Sequence, residues 1–235
     1  MTDDAARAWR FMRKADSAGE TEEPVPLGTA VRDSRVPLRH DSNYLFVERP
    51  AAAEEIVAEL RRLDLPVATV PGDDLAGAPQ VSHRGLVMVH RGPVTEPPRR
   101  AVEVEREALE PIRRAQTLAY SWGSPAVADQ LLAAKGLIAE RLTARFFAAI
   151  EDGDVVAGTD LYLEPPDAQV EDVLVAEGHR GRGHGTAVVL TAVAEAYAAG
   201  ADFVFLVADS DDWPKDWYAR LGFEPVGSYV KLQRP

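Results

Sequence analysis

Three groups of residues in this chain have the types and spacing to do chemistry. The first is the loop Arg180-Gly181-Arg182-Gly183-His184-Gly185. Its glycines let backbone N–H groups approach a ligand with no Cβ in the way. If a helix starts there, unpaired N–H groups and the positive end of the helix dipole converge, and the expected guest is a phosphate. The second is the adjacent acidic pair Glu171-Asp172, able to take a proton from an incoming nucleophile. The third is Tyr218, whose phenol can give a proton to a leaving group. The chain has no cysteine, which removes thiolate chemistry and disulfides. His40, His83, His90, His179 and His184 show no ligand spacing and no readable triad, so no metal site is expected.

The elements around these residues follow from hydrophobic period. Val170, Val173, Leu174 and Val175 form a mostly buried strand interrupted by Glu171 and Asp172. Strict alternation would send the two carboxylates to opposite faces, with Glu171 on the side of Val173 and Val175. From Thr186 the apolar positions Val189, Leu190, Val193 and Tyr197 recur as on an amphipathic helix, which Gly200 caps. Phe203 to Val207 is a continuous apolar run of strand length. The segment from Asp212 to Phe223 holds Tyr218 on a short helix and ends in Gly222-Phe223.

Spacing narrows the phosphate ligand. There is no G-x-x-x-x-G-K-[ST], and a dinucleotide fingerprint would need glycine where Thr186 stands. Arg180, Gly183 and Gly185 instead satisfy R/Q-x-x-G-x-G/A, and Tyr218 with Gly222-Phe223 satisfies Y-x-x-x-G-F. In this order, the two patterns resemble the cofactor loop and second signature of the GNAT N-acetyltransferase family. The resemblance implies an α/β GNAT acyl-CoA N-acyltransferase fold, a mixed central sheet flanked by helices. It also implies acetyl-CoA as acyl donor, an amine-bearing small molecule or a peptide or protein amine as acceptor, and direct transfer in a ternary complex.

By the same resemblance the strand Val173, Leu174 and Val175 pairs its backbone with the pantetheine arm. Gly181, Gly183, His184, Gly185 and Thr186 receive the pyrophosphate, with Arg180 and Arg182 adding charge. Tyr218 protonates the departing thiolate, and Glu171, then Asp172, is the candidate base. An amine with a pKa of roughly 10 is about one part in a thousand nucleophilic at neutral pH, so a positioned base matters. The family often has asparagine seven residues before the tyrosine; here Asp211 stands there and cannot donate when ionised. A non-catalytic acyl-CoA sensor or interaction module on the same fold is the competing expectation.

The rest of the chain divides at the proline-rich stretch from Pro93 to Pro98. Residues 100–235 read as a complete acetyltransferase order. It begins with a strand at Ala101 to Glu105 and two helices, the second capped by Ser124-Pro125 with Val127, Leu131, Ile138 and Leu142 along one face. A hairpin around Asp152-Gly153 follows, then the site segment and a last strand at Gly227 to Leu232. Acceptor selectivity falls by resemblance to Leu109–Ser124. Trp122, Trp213 and Trp217 are candidates for lining an acceptor cleft or for packing.

Residues 1–99 read as a degenerate acetyltransferase-like half. A helix spans Ala5 to Ala18, an extended arm Ser17 to Thr29, and a strand Tyr44 to Val47. A helix with Ile56, Leu60 and Leu63 follows, then strands at Val67 to Val70 and Gly85 to His90. Glu48-Arg49-Pro50 replaces the cofactor loop, so no cofactor is expected in this half. A formal charge of −12 disfavours nucleic acid and anionic membrane as partners, and no apolar leader or membrane span is evident. The expected location is the cytoplasm.

Overall fold

The computed structural model describes residues 2–16, 21–94 and 101–234. The N-terminal elements are α1 (Asp3–Asp16), β1 (Thr21–Val25), β2 (Gly28–Arg32), β3 (Tyr44–Val47), α2 (Ala53–Leu63), β4 (Val67–Pro71) and β5 (Val81–His90). Then come β6 (Val102–Val104), α3 (Glu110–Ala119), α4 (Pro125–Ala139), β7 (Thr143–Glu151) and β8 (Asp154–Glu164). The chain ends with β9 (Asp167–Val175), α5 (His184–Ala198), β10 (Phe203–Asp209), α6 (Pro214–Arg220) and β11 (Phe223–Gln233).

Two compact units result. One comprises Met1–Met88, Val207–Ala219 and Glu224–Pro235, the other Val89–Leu206 and Arg220–Phe223. They do not follow one cut near residue 99, because the C-terminal strand groups with the N-terminal residues. Most of the Pro93 to Pro98 junction lies outside the described residues.

In the first unit the strand order is β1-β2-β3-β4-β11-β5. β3 and β4 run parallel, joined by the α2 crossover, and β11 pairs antiparallel with β4. Ile56 and Leu60 of α2 are fully buried against Leu45, Ala68, Val230 and Leu232. Each such side chain contributes about 1.5–3 kcal/mol relative to exposure. The expected extended arm is instead part of a hairpin, with Thr21 opposite Arg32 and Val25 opposite Gly28. The Glu and Pro that suggested a linker sit on an edge strand, where exposed polar residues and proline are tolerated. Residues 17–20 of that expectation lie outside the described residues.

In the second unit the order is β10-β9-β8-β7-β6. β6 to β9 pair antiparallel, and β10 joins β9 in parallel after the α5 crossover. The β7–β8 turn forms at Asp152 (φ 54°) and Gly153 (φ 91°), the left-handed pair that an Asp-Gly hairpin requires. Ser124 caps α4 by accepting from Val127 N–H at 3.2 Å. The buried stripe of α4 is Ala128, Leu132, Ala134 and Ile138, so the predicted Val127 and Leu131 lie beside it rather than on it. Helix α5 is not amphipathic. Eight consecutive-face residues from Ala187 to Ala196, Thr191 among them, are buried against the sheet and its surroundings, as for a helix apolar all round.

Candidate functional site

Helix α5 fixes the loop. Gly181 (φ 75°) and Gly183 (φ 85°) both take left-handed backbone, and Gly183 is the N-cap of α5. A Cβ at either would meet nothing within 4 Å, so the glycines face open space, and φ is what demands them. The first full helical bond is Ala187 N–H to Gly183 O at 3.0 Å. The N–H groups of His184, Gly185 and Thr186 precede it and belong to the unsatisfied end of a 15-residue helix. Arg180 is exposed beside the Val175 carbonyl, and Arg182 Nη1 lies 3.1 Å from Glu151 Oε2.

The strand leading into this loop is half open. β9 pairs with β10 only over Asp167–Gln169, opposite Phe203–Phe205, and then runs on for six residues to Val175. Beyond Gln169 the register with β10 ends, and a strand edge of this kind is where another extended chain can pair.

On its other edge β9 carries a bulge. Asp160 faces Glu171 and Gly158 faces Leu174, so Thr159 stands opposite both Asp172 and Val173. Asp172 is the bulged residue, at φ 54°. This overturns the expectation that alternation separates the acidic pair. Glu171 lies directly across from Asp160 and shares its face, and the carboxylate of Asp172 reaches the same cluster as that of Asp160.

That cluster is built from four elements. Arg113 of α3 pairs with Asp160 of β8, and its Nε lies 3.2 Å from Asp172 Oδ2. Lys135 of α4 lies 2.9 Å from Asp160 Oδ2 and 3.1 Å from Asp172 Oδ2. Tyr162 donates to Asp160 Oδ2 at 2.7 Å. Burial acts to lower the Lys135 pKa, but Asp160 and Asp172 override it and hold the ammonium well above its ordinary value. Burial and Asp160 together push the Tyr162 phenol well above its usual range, so it stays a donor. Two cations balance two carboxylates; Asp160 and Arg113 are buried, while Asp172 is about one-third exposed.

The consequence for the acidic pair is a division of labour. The Asp172 carboxylate is committed to two cations, Arg113 and Lys135. Glu171 accepts from the Gln169 amide at 2.6 Å, a neutral partner.

Sequence reasoning missed Arg113, Lys135, Asp160 and Tyr162. The available signal was Asp160 itself, a carboxylate inside the otherwise apolar run VVAGTDLYL. Spacing also missed that His179 and His184 converge on Glu151.

The other predicted residues lie in the first unit, along β9 or, for Trp122, between α3 and α4. Tyr218 on α6 is buried, its ring 4.8 Å from that of Trp217, while Trp213 is largely exposed. Asp211 is held by Arg84 in a two-pronged pair, Nη2 to Oδ1 and Nε to Oδ2 at 2.8 Å each. Leu174 is buried, whereas Val173 and Val175 are half-buried. Trp122 is exposed and stacks on Tyr120 at 4.8 Å with the rings 9° from parallel.

A β-strand that parts from its parallel neighbour just before a glycine-capped helix N-terminus defines the class, the acyl-CoA acyltransferase fold. Residues 107–223 match the sequence model of the acetyltransferase (GNAT) family, and the chain carries a domain of that family. Among solved structures, the chain is similar to a GCN5-related N-acetyltransferase from Kribbella flavida, with TM-score 0.64, 16% identity, and 98% and 95% of the two chains covered. A functionally unknown conserved protein from Staphylococcus epidermidis gives TM-score 0.66 at 14% identity, covering 91% and 92%. A putative GNAT acetyltransferase from Novosphingobium aromaticivorans gives 0.54 at 20% identity, covering 81% and 84%. The coverage shows that the N-terminal half, too, matches a GNAT fold. No curated protein matches the chain in sequence. Among the described residues no helix is long and apolar enough to cross a membrane.

Proposed function

We propose that this protein moves the acetyl group of acetyl-CoA to a primary amine by direct transfer in a ternary complex. The observation that carries this reading is that β9 leaves its register with β10 after Gln169 and runs into the Gly183-capped end of α5. An extended pantetheine arm suits the edge, through the backbone of Val173 and Val175, and a pyrophosphate suits the N–H groups at the helix start. Arg180 and Arg182, both exposed, would add charge to the phosphates.

In the chemical step the amine nitrogen attacks the thioester carbonyl, the C–S bond breaks, and the amine proton passes to Glu171 directly or through one water. Glu171 is favoured over Asp172 because the Asp172 carboxylate is committed to two cations. Tyr218, by its place in Y-x-x-x-G-F, supplies the proton for the thiolate. On the loop between α3 and α4 the stacked, exposed Tyr120 and Trp122 offer an aromatic face that attracts a cationic amine. The N-terminal half lacks the glycine loop after Val47, so one acetyl-CoA per chain is expected.

The test is release of free CoA thiol from acetyl-CoA over a panel of amines, with Glu171→Gln and Tyr218→Phe beside the wild type. Loss of a base or acid typically costs about 10²–10⁴-fold in rate, and kcat should fall with acetyl-CoA affinity kept. Acetyl-CoA binding with no turnover on any amine would move the assignment to a sensor.

A further inference from the structure

Glu151, at the end of β7, has three groups close to one carboxylate oxygen, Oε2. His179 Nδ1 lies at 2.7 Å, Arg182 Nη1 at 3.1 Å and His184 Nε2 at 3.4 Å. The two histidines bracket the glycine loop, His179 closing the short turn before it and His184 opening α5. One atom from each of Glu151, His179 and His184 lies within 4.8 Å of the others. His184 is 4% exposed, and its Nε2, aimed into this group, has no hydrogen-bond partner. A buried ring nitrogen without a partner bears an uncompensated desolvation cost, which a bound ion would relieve.

We infer that Glu151, His179 and His184 form a binding site for a divalent transition metal, with Zn²⁺ the best-suited ion. Two imidazole nitrogens and one carboxylate oxygen are a borderline donor set of the kind zinc takes, and three protein ligands leave a fourth position open. Bonds of about 2.0–2.1 Å in a tetrahedron put donor atoms about 3.4 Å apart. His184 Nε2 and Glu151 Oε2 already stand at 3.4 Å. His179 Nδ1 must open by about 0.7 Å from its present contact with Glu151 to reach that spacing.

Arg182 is the competitor, a cation on the same oxygen. Its side chain is half exposed, so it swings into solvent or toward a phosphate at little cost when the ion enters. The ion would fasten the strand β7 to both ends of the loop, joining the turn before it to the helix after it.

The test needs no acetyl-CoA and no activity. Protein treated with a chelator and dialysed is titrated with ZnCl₂ by calorimetry, and with CoCl₂ by visible absorption. One ion per chain is expected, with a tetrahedral cobalt spectrum. Glu151→Gln and His179→Asn should each weaken zinc by at least about tenfold, the lower limit for a disturbed ligand shell. Arg182→Leu should bind more tightly than wild type, since it removes the competing cation. The inference is overturned by no stoichiometric binding, by binding that Glu151→Gln and His179→Asn leave unchanged, or by Arg182→Leu binding more weakly. Any of these would leave Glu151 as a metal-independent anchor of the loop. The glycine loop's own ligand binding is unaffected by that outcome, so the acetyltransferase reading stands or falls separately.

Discussion

Neutralising Asp160 should be among the most damaging single changes available in the second unit. Asp160 is wholly buried and receives Arg113, Lys135 and Tyr162. Asp160→Asn keeps the shape but leaves two buried cations facing one carboxylate, Asp172. Removing one partner of a buried ion cluster costs about 3–5 kcal/mol, because the remaining charge is uncompensated. For a chain of this length each kcal/mol moves the midpoint by about 2–4 °C, so a fall of at least about 6 °C is expected. The sharper readout is a cycle with Lys135→Met. The double variant removes one charge of each sign and leaves Arg113 and Asp172 as a pair 3.2 Å apart. It should therefore be less destabilised than the sum of the singles, by about 1 kcal/mol or more, as for groups in one network. Circular dichroism during thermal and urea unfolding measures all four proteins. A fall below about 2 °C for Asp160→Asn, equivalent to about one kcal/mol or less, or strict additivity in the cycle, would refute the balanced-cluster argument.

Two smaller predictions follow from local geometry. Ser124→Ala removes the acceptor for Val127 N–H and should cost about 1 kcal/mol, measured by urea unfolding, while Ser124→Gly should cost only a few tenths. Burial lowers the pKa of His90, whose Nδ1 sits 3.1 Å from the Tyr197 hydroxyl. The unfolded chain therefore binds the proton first, and stability is complete above about pH 6.5 and lost as pH falls toward the folded value. His83 is lowered for the same reason and acts in the same direction. His90→Gln should make the decline in melting temperature between about pH 7.5 and 5.5, a range that brackets the free histidine pKa, shallower than in wild type. A slope equal to that of wild type would remove His90 from the account.

The fold was largely legible because its signals are local. Asp152-Gly153 marks its hairpin, Ser124-Pro125 starts α4, and Phe203 to Val207 can only be a covered strand. The loop was legible for the same reason, since Gly181 and Gly183 answer a demand of φ that no neighbour has to explain. What failed were inferences that extend a regular period through an irregular place. Alternation was carried across Asp172, where a bulge resets it, and amphipathicity was read into α5, which is covered on nearly every side. The buried cluster could not be read at all. Arg113 and Lys135 sit on separate helices and meet Asp160 and Asp172 only when two strands and two helices have packed. Likewise His179 and His184 are unremarkable five residues apart until the loop turns both onto Glu151.

The central claim is that the end of α5 and the open edge of β9 hold acetyl-CoA. Thermal unfolding of wild type and Gly183→Glu with and without acetyl-CoA tests it directly. A side chain at Gly183 has space, but it bears a negative charge into the phosphate site and strains a left-handed position at about 1–2 kcal/mol. Ligand at a hundredfold excess over its dissociation constant stabilises the folded form by about 2.7 kcal/mol, a rise of at least about 5 °C. The account predicts that rise for wild type and none for the folded variant. Two folded proteins that both ignore acetyl-CoA, or that both respond equally, would contradict it.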